Sequence, residues 1–513
     1  MSEPANRRHT AWHLLLTGVL GLPLITPLLR WSSVPCTHDG HLHYHRVAAI
    51  RHAWENGLFF SRWLPDLAFG YGYPFFLYRE PFPLYLTHFM HLAGLPLPAA
   101  TNLFYAATIL LAGAFTYLWV RDIFGAPAGI VAAVAYMAAP YQLVDALVRG
   151  NQVESLALAL FPLLLWAGRR FLISGAARWF FVGCLGLAAL GLSHNISLLL
   201  FTPALALYLL ALVWVHRLPW RRGLGRVALL MGIGLGLTAF YTGPAVLEMD
   251  EVTLSLSTTT RNNDFRYNFA SLAEIFSAVS PEDPTLINPP LPFRLGWTQT
   301  ALGLLGLLSI AWLRRREQRA HILLMAGATV IFLAFALPFS RPLWEALPLI
   351  EFVQFPWRFV GRAALPLAML AAVPVALLTQ LSRSERAARE RLLLTAGTAL
   401  PIALLMLEAF PLLYPTYCPE APFPDIVDVH RYERETGLVG VDPEGSYFPT
   451  TVRRRPQGSP LEADYVAGRP PQRFDEDALP DGASVLEASY GPNRARIEVE
   501  SPAAFQARYL TFA

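Results

Sequence analysis

Eleven apolar segments recur along the 513-residue chain and constrain its fold more than any other feature of the sequence. A helix needs about 20 mostly apolar residues to cross the hydrocarbon core of a bilayer, and these segments are near that length. They lie at about 11–29, 100–120, 126–145, 151–168, 178–193, 196–216, 227–246, 296–313, 320–338, 363–381 and 392–413. The sequence therefore predicts an all-α polytopic membrane protein with about eleven transmembrane helices.

The charged residues agree with this class. They make up 15% of the chain, whereas soluble domains carry about 25%. All 40 basic residues are arginines, and they exceed the 37 acidic residues by only three charges. Such a small surplus gives no reason to expect nucleic acid as a partner. The arginines instead indicate topology, because cytoplasmic turns carry the excess of basic residues.

The arginines orient the predicted helices. Arg7 and Arg8 place the N-terminus inside, ahead of a first helix that we expect to be retained, because no clear small-residue cleavage site follows it. The short, proline-broken run 83–97 is predicted to be a juxtamembrane piece. If it were counted as a span, Arg169, Arg170 and Arg178 would lie outside, although basic residues are expected in the cytoplasmic turns. The chain after about residue 413 is then predicted to lie outside.

This topology divides the chain into a transmembrane domain, 1–414, and an outer domain, 415–513. Residues 31–98 form a first outer loop with juxtamembrane helices. Apolar and polar residues alternate in 484–490, 494–500 and 505–512, which predicts a small antiparallel β domain. Because the chain ends within the third segment, we expect this domain to be incomplete. Cys36 and Cys418 both fall outside, where either a disulfide or free thiols are permitted.

Asp39 and four histidines follow the first apolar segment directly. An ionised group at the membrane boundary is costly unless it has a partner or a function. Asp39 could cap a helix that begins near Gly40, or act as a general base at the outer mouth of the helices. No cofactor is certain. A divalent metal held by His38, His41 and His45 is an alternative to plain interfacial histidines.

Three further groups of polar residues lie at predicted outer helix ends. Arg149 and Glu154 could form either a structural ion pair or part of a site. His194 and Asn195 stand between two spans. The segment from Gln354 to Arg358 is a proline-broken turn that suits a phosphate, although Trp and Arg are also interfacial anchors.

Together these residues resemble a bacterial family of multi-pass proteins labelled "6-pyruvoyl-tetrahydropterin synthase-related, membrane domain". The resemblance rests on Asp39-x-x-x-His43-x-x-Arg46, Gly70-Tyr-Gly-Tyr-Pro74, Arg149-Gly-Asn-x-x-Glu154, Ser193-His-Asn195 and Gln354-Phe-Pro-Trp-Arg358. It spans residue 31 to about residue 413. It implies a bacterial cytoplasmic (inner) membrane protein with its N-terminus inside and its C-terminal domain outside.

The layout also resembles C-type (GT-C) glycosyltransferases, in which a carboxylate in the first outer loop activates the acceptor. That resemblance implies Asp39 as a catalytic base, with Glu154 as a second catalytic acid residue. It implies a substrate site from His43, Arg46, Arg149, His194, Asn195, Gln354 and Arg358. The partners it implies are a polyprenyl-phosphate-linked sugar and membrane lipid, whereas protein partners stay unknown.

Two other function classes remain open. A lipid-linked saccharide flippase or transporter would also be a polar-lined helical bundle, but with broken helices and charges near the midplane. A non-catalytic membrane scaffold for envelope polysaccharide assembly is the third class. Because the polar groups cluster at the predicted outer helix ends, the sequence favours interfacial chemistry.

Overall fold

The computed structural model describes residues 3–281, 293–381, 388–418, 423–443, 445–491 and 494–511. Within these ranges the chain is mostly helical, as the sequence predicted, and it forms one pair of strands near its C-terminus. The elements are α1 (Glu3–Ile25), α2 (Gly40–Glu55), α3 (Phe75–Tyr78), α4 (Phe82–Leu92), α5 (Leu97–Phe124), α6 (Ala126–Met137), α7 (Pro140–Val144), α8 (Gln152–Ser174), α9 (Ala177–Ser193), α10 (Asn195–Val215), α11 (Trp220–Gly236), α12 (Ala239–Leu247), α13 (Leu256–Thr259), α14 (Leu272–Ile275), α15 (Trp297–Leu308), α16 (Arg316–Ala336), α17 (Arg341–Ala346), α18 (Arg358–Leu381), α19 (Ala388–Ala409), α20 (Ile426–Thr436), α21 (Glu462–Val466), β1 (Ser484–Gly491) and β2 (Arg494–Glu500).

All eleven predicted apolar segments are helical. Among the described residues, seven helices are long and apolar enough to cross a membrane, and nine spans result if each of two bent helix pairs counts as one. The remaining two segments form the shorter apolar helices Ala177–Ser193 and Trp297–Ala311. The run predicted to be juxtamembrane forms α4, an eleven-residue helix too short to cross a bilayer.

The chain divides into two compact units. Unit 1 comprises Met1–Gly40, Pro98–Ala239 and Arg261–Pro419, and unit 2 comprises His41–Leu97, Phe240–Thr260 and Glu420–Ala513. The sequence predicted a boundary near residue 414. The structure instead groups two earlier segments of the chain with the C-terminal one.

Helix α18 forms the centre of unit 1 and packs against α6, α15 and α16. Its residues from Arg358 to Val373 are all buried. Glycines on α15 permit the close approach, because a Cβ on Gly306 would collide with the backbone carbonyl of Leu370. Between α6 and α7 the axis bends by 45° at Ala138 and Ala139, directly before Pro140.

A disulfide joins two distant segments of unit 1. Cys36 and Cys418 are bonded across 382 residues of sequence, and each contributes a backbone N–H to the other segment. Cys36 N–H donates to the Thr416 carbonyl at 2.7 Å, and Cys418 N–H to that of Val34 at 3.1 Å. The disulfide and these two hydrogen bonds fix the chain three residues before Asp39. Of the two alternatives left open by the sequence, the structure contains the disulfide.

Unit 2 has a core of aromatic and aliphatic side chains, among them Phe69, Tyr73, Phe75 and Phe448. Glu433 on α20 is buried in this unit and accepts hydrogen bonds from the backbone N–H groups of Ala68, Phe69 and Gly440 at 2.8–2.9 Å. It thus fixes two loops to one helix.

The C-terminal segment contains less sheet than the sequence predicted. Strands β1 and β2 pair antiparallel as a hairpin, in agreement with two of the three alternating segments. The third prediction, 505–512, is wrong over its described part. Up to residue 511, only Tyr509 pairs, in an isolated bridge to Phe474. The described chain after residue 414 also contains helices α20 and α21, so this region combines helices with a hairpin and is not β-rich.

Candidate functional site

The connection between α7 and α8 carries the predicted Arg149-Gly-Asn-x-x-Glu154 motif. Residues Asp145–Arg149 form a π-helical turn, a rare conformation that is frequent at functional sites. Gly150 follows with φ at 67°, a left-handed conformation that favours glycine. Asn151 then caps α8, because its Oδ1 accepts the backbone N–H of Glu154 at 2.9 Å. The local sequence thus specifies both the turn and the start of α8.

Glu154 is fully buried, and its carboxylate is surrounded by guanidinium groups. Arg149 and Arg362 each form an ion pair with it, and Nε of Arg358 lies 3.8 Å from its Oε2. The hydroxyl of Tyr141 also donates to Oε1 at 2.8 Å. One carboxylate therefore holds three arginines, which come from the π-helical turn and from α18.

Asp145 is a second fully buried carboxylate in this cluster. Its Oδ1 accepts from Nη1 of Arg149 at 3.0 Å, and its Oδ2 accepts the hydroxyl of Ser155 at 2.7 Å. Three guanidiniums thus face two buried carboxylates, which leaves a formal surplus of one positive charge. A buried surplus of this sign favours an anionic ligand.

Two of the arginines retain donors for such a ligand. Arg358 donates from Nη1 to the carbonyl of Val353 at 2.7 Å, and its guanidinium lies 5.0 Å from the ring centroid of Phe355. Arg362 donates from Nη2 to the hydroxyl of Ser197 at 2.8 Å. The Nε groups of both arginines are buried and make no hydrogen bond within the described part of the chain.

Asp39 lies next to the π-helical turn and is half-buried. Its backbone N–H donates to the carbonyl of Arg149 at 2.9 Å, and the N–H of His38 donates to that of Val148 at 3.0 Å. Nδ2 of Asn151 lies 3.4 Å from Oδ2 of Asp39. Asn151 therefore contacts both predicted acidic site residues, with its side chain toward Asp39 and toward the backbone of Glu154.

The predicted residues of α10 and of the turn before α18 lie in the same unit. Nδ1 of His194 is 2.7 Å from the hydroxyl of Ser197, which in turn accepts from Arg362. Asn195 is the first residue of α10. Gln354 has φ at 62°, an uncommon value for a residue other than glycine, and it begins the turn that leads into Arg358.

His43 and Arg46, also predicted to bind substrate, are buried on α2 in unit 2. Arg46 donates from Nε and Nη2 to the carbonyl of Val441, at 3.2 and 2.9 Å. Its guanidinium lies 5.1 Å from the ring centroid of Phe75. These contacts give Arg46 a role in holding unit 2 together.

The predicted metal alternative depends on His38, His41 and His45. In unit 2, Nδ1 of His45 lies 2.8 Å from the carbonyl oxygen of His41, and its ring stacks on Tyr432 at 4.0 Å. That nitrogen is therefore engaged with the backbone. The alternative stays a prediction that these contacts do not favour.

Sequence reasoning missed four members of the cluster, which are Tyr141, Asp145, Ser197 and Arg362. Each lies inside an apolar segment or at its edge. The available pattern was the presence of ionisable residues within such segments, since these are costly in a membrane unless they are partnered. Asp145 and Arg362 could have been recognised on that ground.

An apolar groove of about 740 Å³ lies in unit 1 between α8, α10, α16 and α18. It follows α10 from Leu199 to Tyr208, which is about 14 Å by the helical rise. Exposed Leu207 and Leu323 line it, so it opens between α10 and α16. Arg362 is the one charged residue among those that line it. The groove therefore leads from an apolar surface to the arginine cluster.

The other polar lining group is the hydroxyl of Tyr208. It accepts from Nε1 of Trp119 at 3.0 Å and lies 3.1 Å from Nε2 of His321. This hydroxyl is thus engaged by its neighbours. Among the described residues that line the groove, the charged side chain is that of Arg362.

A family model described as "6-pyruvoyl-tetrahydropterin synthase related domain; membrane protein" matches residues 76–414, about two thirds of the chain. The chain belongs to this family. A curated relative of this chain is an uncharacterized protein of Lactococcus lactis, 23% identical over 242 residues. That match covers 45% of this chain and 38% of the relative's length.

Solved structures of two membrane proteins are similar to this family member. The Archaeoglobus fulgidus oligosaccharyltransferase, tethered with an acceptor peptide, aligns over 88% of this chain and 60% of its own at 16% identity and a TM-score of 0.45. ArnT from Cupriavidus metallidurans, bound to undecaprenyl phosphate, aligns over 83% and 79% at 16% identity and a TM-score of 0.46.

Proposed function

We propose that this membrane protein is a GT-C-type glycosyltransferase that transfers a sugar from a polyprenyl-phosphate donor to an acceptor on the outer face. The observation that carries the proposal is the groove that ends at Arg362. Its apolar walls suit a hydrocarbon chain, and its one charged lining residue belongs to a cluster with surplus positive charge. A lipid with a hydrocarbon tail and an anionic headgroup would match this groove, with its tail along the apolar walls and its negative charge at Arg362.

The arginine cluster supplies what the leaving group of such a reaction needs. When the bond between the sugar and the phosphate oxygen breaks, the phosphate takes the electron pair and gains negative charge. Fixed guanidiniums stabilise that charge because they need no reorganisation during the reaction. The Nε groups of Arg358 and Arg362, which make no hydrogen bond within the described part of the chain, are the donors that we assign to the phosphate.

Asp39 is assigned as the base. It is more exposed than Glu154, and Asn151 and the backbone of Arg149 hold it in place. A carboxylate here would accept the proton of the acceptor hydroxyl as the new bond to the sugar forms. Glu154 is fully buried and ion-paired, so we assign it to positioning the arginines rather than to proton transfer.

Transport and scaffolding fit these observations less well. A path for a saccharide across the membrane would need polar lining, whereas the groove is apolar except at Arg362 and Tyr208. A scaffold would have no use for buried guanidiniums with unpaired donors, since such groups are costly. A scaffold predicts that Asp39 can be replaced without loss of function.

The test is sugar transfer in liposomes that contain the purified protein and a panel of undecaprenyl-phosphate hexoses and pentoses. Release of undecaprenyl phosphate is measured by mass spectrometry. We expect turnover by the wild type and a loss of roughly 10²–10⁴-fold in Asp39→Asn, with donor binding unchanged. Wild-type turnover in Asp39→Asn would refute the base, and loss of donor binding would make Asp39 a binding residue.

A further inference from the structure

Three turns of unit 1 meet at one end of its helices, at the C-terminal ends of α8, α10 and α15. Arg316 at the start of α16 donates from Nη2 to the carbonyl of Trp214 at 3.3 Å, and its guanidinium lies 4.6 Å from that ring's centroid. Arg226 on α11 donates from Nη1 to the carbonyl of Leu172 near the end of α8, at 2.7 Å. These contacts join three sequence-distant turns into one surface.

This surface carries a set of exposed arginines that we call the arginine rim. Its members are Arg217, Arg221, Arg222, Arg314, Arg315 and Arg316. Among the described residues, none of the six forms an ion pair with a carboxylate. The nearby acids are already engaged, because Arg169 and His216 hold Glu317, and Arg170 holds Asp122 through two hydrogen bonds of 2.5 and 2.7 Å.

Exposed tryptophans stand beside these arginines. Trp214, Trp220 and Trp312 are 72%, 65% and 64% exposed, although indole rings are usually well buried in proteins. Tryptophan is enriched at the level of lipid headgroups, where its ring contacts apolar and polar groups together. The rim therefore combines surplus positive charge with side chains typical of a membrane interface.

The backbone at Arg217 adopts a left-handed conformation that is strained for a residue other than glycine. Helix α10 ends in a Schellman motif, with Leu218 N–H donating to the carbonyl of Val213 at 3.0 Å and Arg217 N–H to that of Trp214 at 3.2 Å. The residue directly after the helix cap in this motif is usually glycine, because its φ is positive. Arg217 has φ at 51°. The Cβ of Arg217 therefore strains the backbone locally, and replacement by glycine would relieve that strain.

We propose that the arginine rim is a binding site for the headgroups of anionic phospholipids. The proposal does not depend on the glycosyltransferase activity. The arginines supply charge-assisted hydrogen bonds to the phosphate, and the tryptophans place the site at the interface where those phosphates lie. A soluble polyanion would use the charge but gain nothing from the three exposed indoles.

The experiment is native mass spectrometry of the detergent-purified chain, titrated with phosphatidylglycerol or with phosphatidylcholine. We compare Arg314→Gln/Arg315→Gln with the matched pair Arg453→Gln/Arg454→Gln, which removes two exposed arginines from unit 2. Each arginine near an anionic lipid surface contributes about 1 kcal/mol, so the rim pair should bind phosphatidylglycerol about 30-fold more weakly. The matched pair should bind as the wild type does.

Several outcomes would overturn the proposal. They are equal affinity for the two lipids, an equal loss in the matched pair, and displacement of phosphatidylglycerol by inorganic phosphate at similar concentration. Arg217→Gly gives a readout that does not depend on fold damage. It should raise the apparent melting temperature because it relieves strain, while lowering the affinity for phosphatidylglycerol about five-fold. A raised melting temperature with unchanged affinity would remove Arg217 from the site.

Discussion

The side-chain amide of Asn151 lies 3.4 Å from the carboxylate of Asp39. The other end of the same amide caps α8 by accepting the backbone N–H of Glu154 at 2.9 Å. A helix cap is usually a local device. Here the cap also orients the residue that we propose as the base, so helix start and site geometry are coupled through one side chain.

The substitution Asn151→Asp separates the capping role of this residue from its contact with Asp39. An aspartate keeps the cap, because Asp and Asn are about equally good at this position, but it places a second negative charge beside Asp39. We therefore expect nearly unchanged thermal stability and a turnover reduced by about ten-fold or more. Asn151→Ala is the control that loses both contacts, and it should also lose about 1 kcal/mol of stability. Full turnover in Asn151→Asp would contradict the positioning role.

The groove makes a second prediction, with glycines as a matched pair. Gly327 on α16 lines the groove and Gly232 on α11 does not, while a Cβ at either position would have open space around it. Gly327→Trp should fill the groove and weaken binding of undecaprenyl phosphate by about ten-fold or more, since buried apolar contact contributes about 25 cal/mol per Å². Gly232→Trp should bind as the wild type does. Equal binding by both variants would remove the groove from the lipid site.

Glu154 provides a third prediction because it holds more than one arginine. Removing one partner of a buried ion pair typically costs about 3–5 kcal/mol, so Glu154→Ala should sharply reduce the yield of folded protein. A plain two-residue pair would predict recovery in Arg149→Ala/Glu154→Ala. Arg362 would still lack its carboxylate in that double variant, so we expect little recovery. Substantial recovery, measured by size-exclusion yield in detergent, would show that Arg149 and Glu154 act as an isolated pair.

The disulfide makes a prediction about both stability and compartment. Disulfides persist in oxidising compartments, so an outer location for Cys36 and Cys418 predicts that neither thiol reacts with a maleimide before reduction. Reductant should lower the melting temperature of the wild type, because such bonds contribute about 2–4 kcal/mol. The double variant Cys36→Ser/Cys418→Ser should have a lowered melting temperature already, and reductant should not change it further. Cys184→Ser, at a buried free thiol, should behave as the wild type does.

Much of the fold follows from the sequence for a simple reason. A membrane-spanning segment must be apolar over its whole length and must satisfy its backbone internally, so its helices are visible as continuous runs. The bend between α6 and α7 could be located as well, because Pro140 disfavours helix at the residue before it. The strand predicted at 505–512 does not form over its described part. An alternating pattern shows only that a segment could adopt a strand, whereas a paired strand also needs a neighbouring strand edge, which the sequence does not specify.

The site was predictable only in part. The residues around Arg149 and Glu154, with His194 and Arg358, stand out because they are polar at the ends of apolar runs. Asp145 and Arg149 are four residues apart, so helical spacing could have suggested their pairing, but no residue pattern indicates the π-helical turn that they share. The position of Arg46 could not be inferred either, because Val441 is distant in sequence.

The final prediction concerns Glu433 in unit 2. Burial raises the pKa of Glu433 from its usual value of 4.5 to about 7, although hydrogen bonds from three backbone N–H groups act in the opposite direction. Between these two values the folded state holds a proton that the unfolded state has released. Stability should therefore fall as pH rises from about 4 to about 8, by roughly 3 kcal/mol for a shift of this size.

Glu433→Gln resembles the protonated carboxyl and removes this titration. Histidines in the same unit, such as His88 and His430, contribute with the opposite sign, because burial lowers the pKa of both rings and their stabilising effect is lost as pH falls. The variant keeps those histidines, so the difference in melting temperature between wild type and Glu433→Gln isolates Glu433. We expect the wild type to lose stability relative to the variant between pH 5 and about pH 8. Parallel pH profiles would mean that the three N–H donors keep Glu433 ionised in the folded state throughout this range.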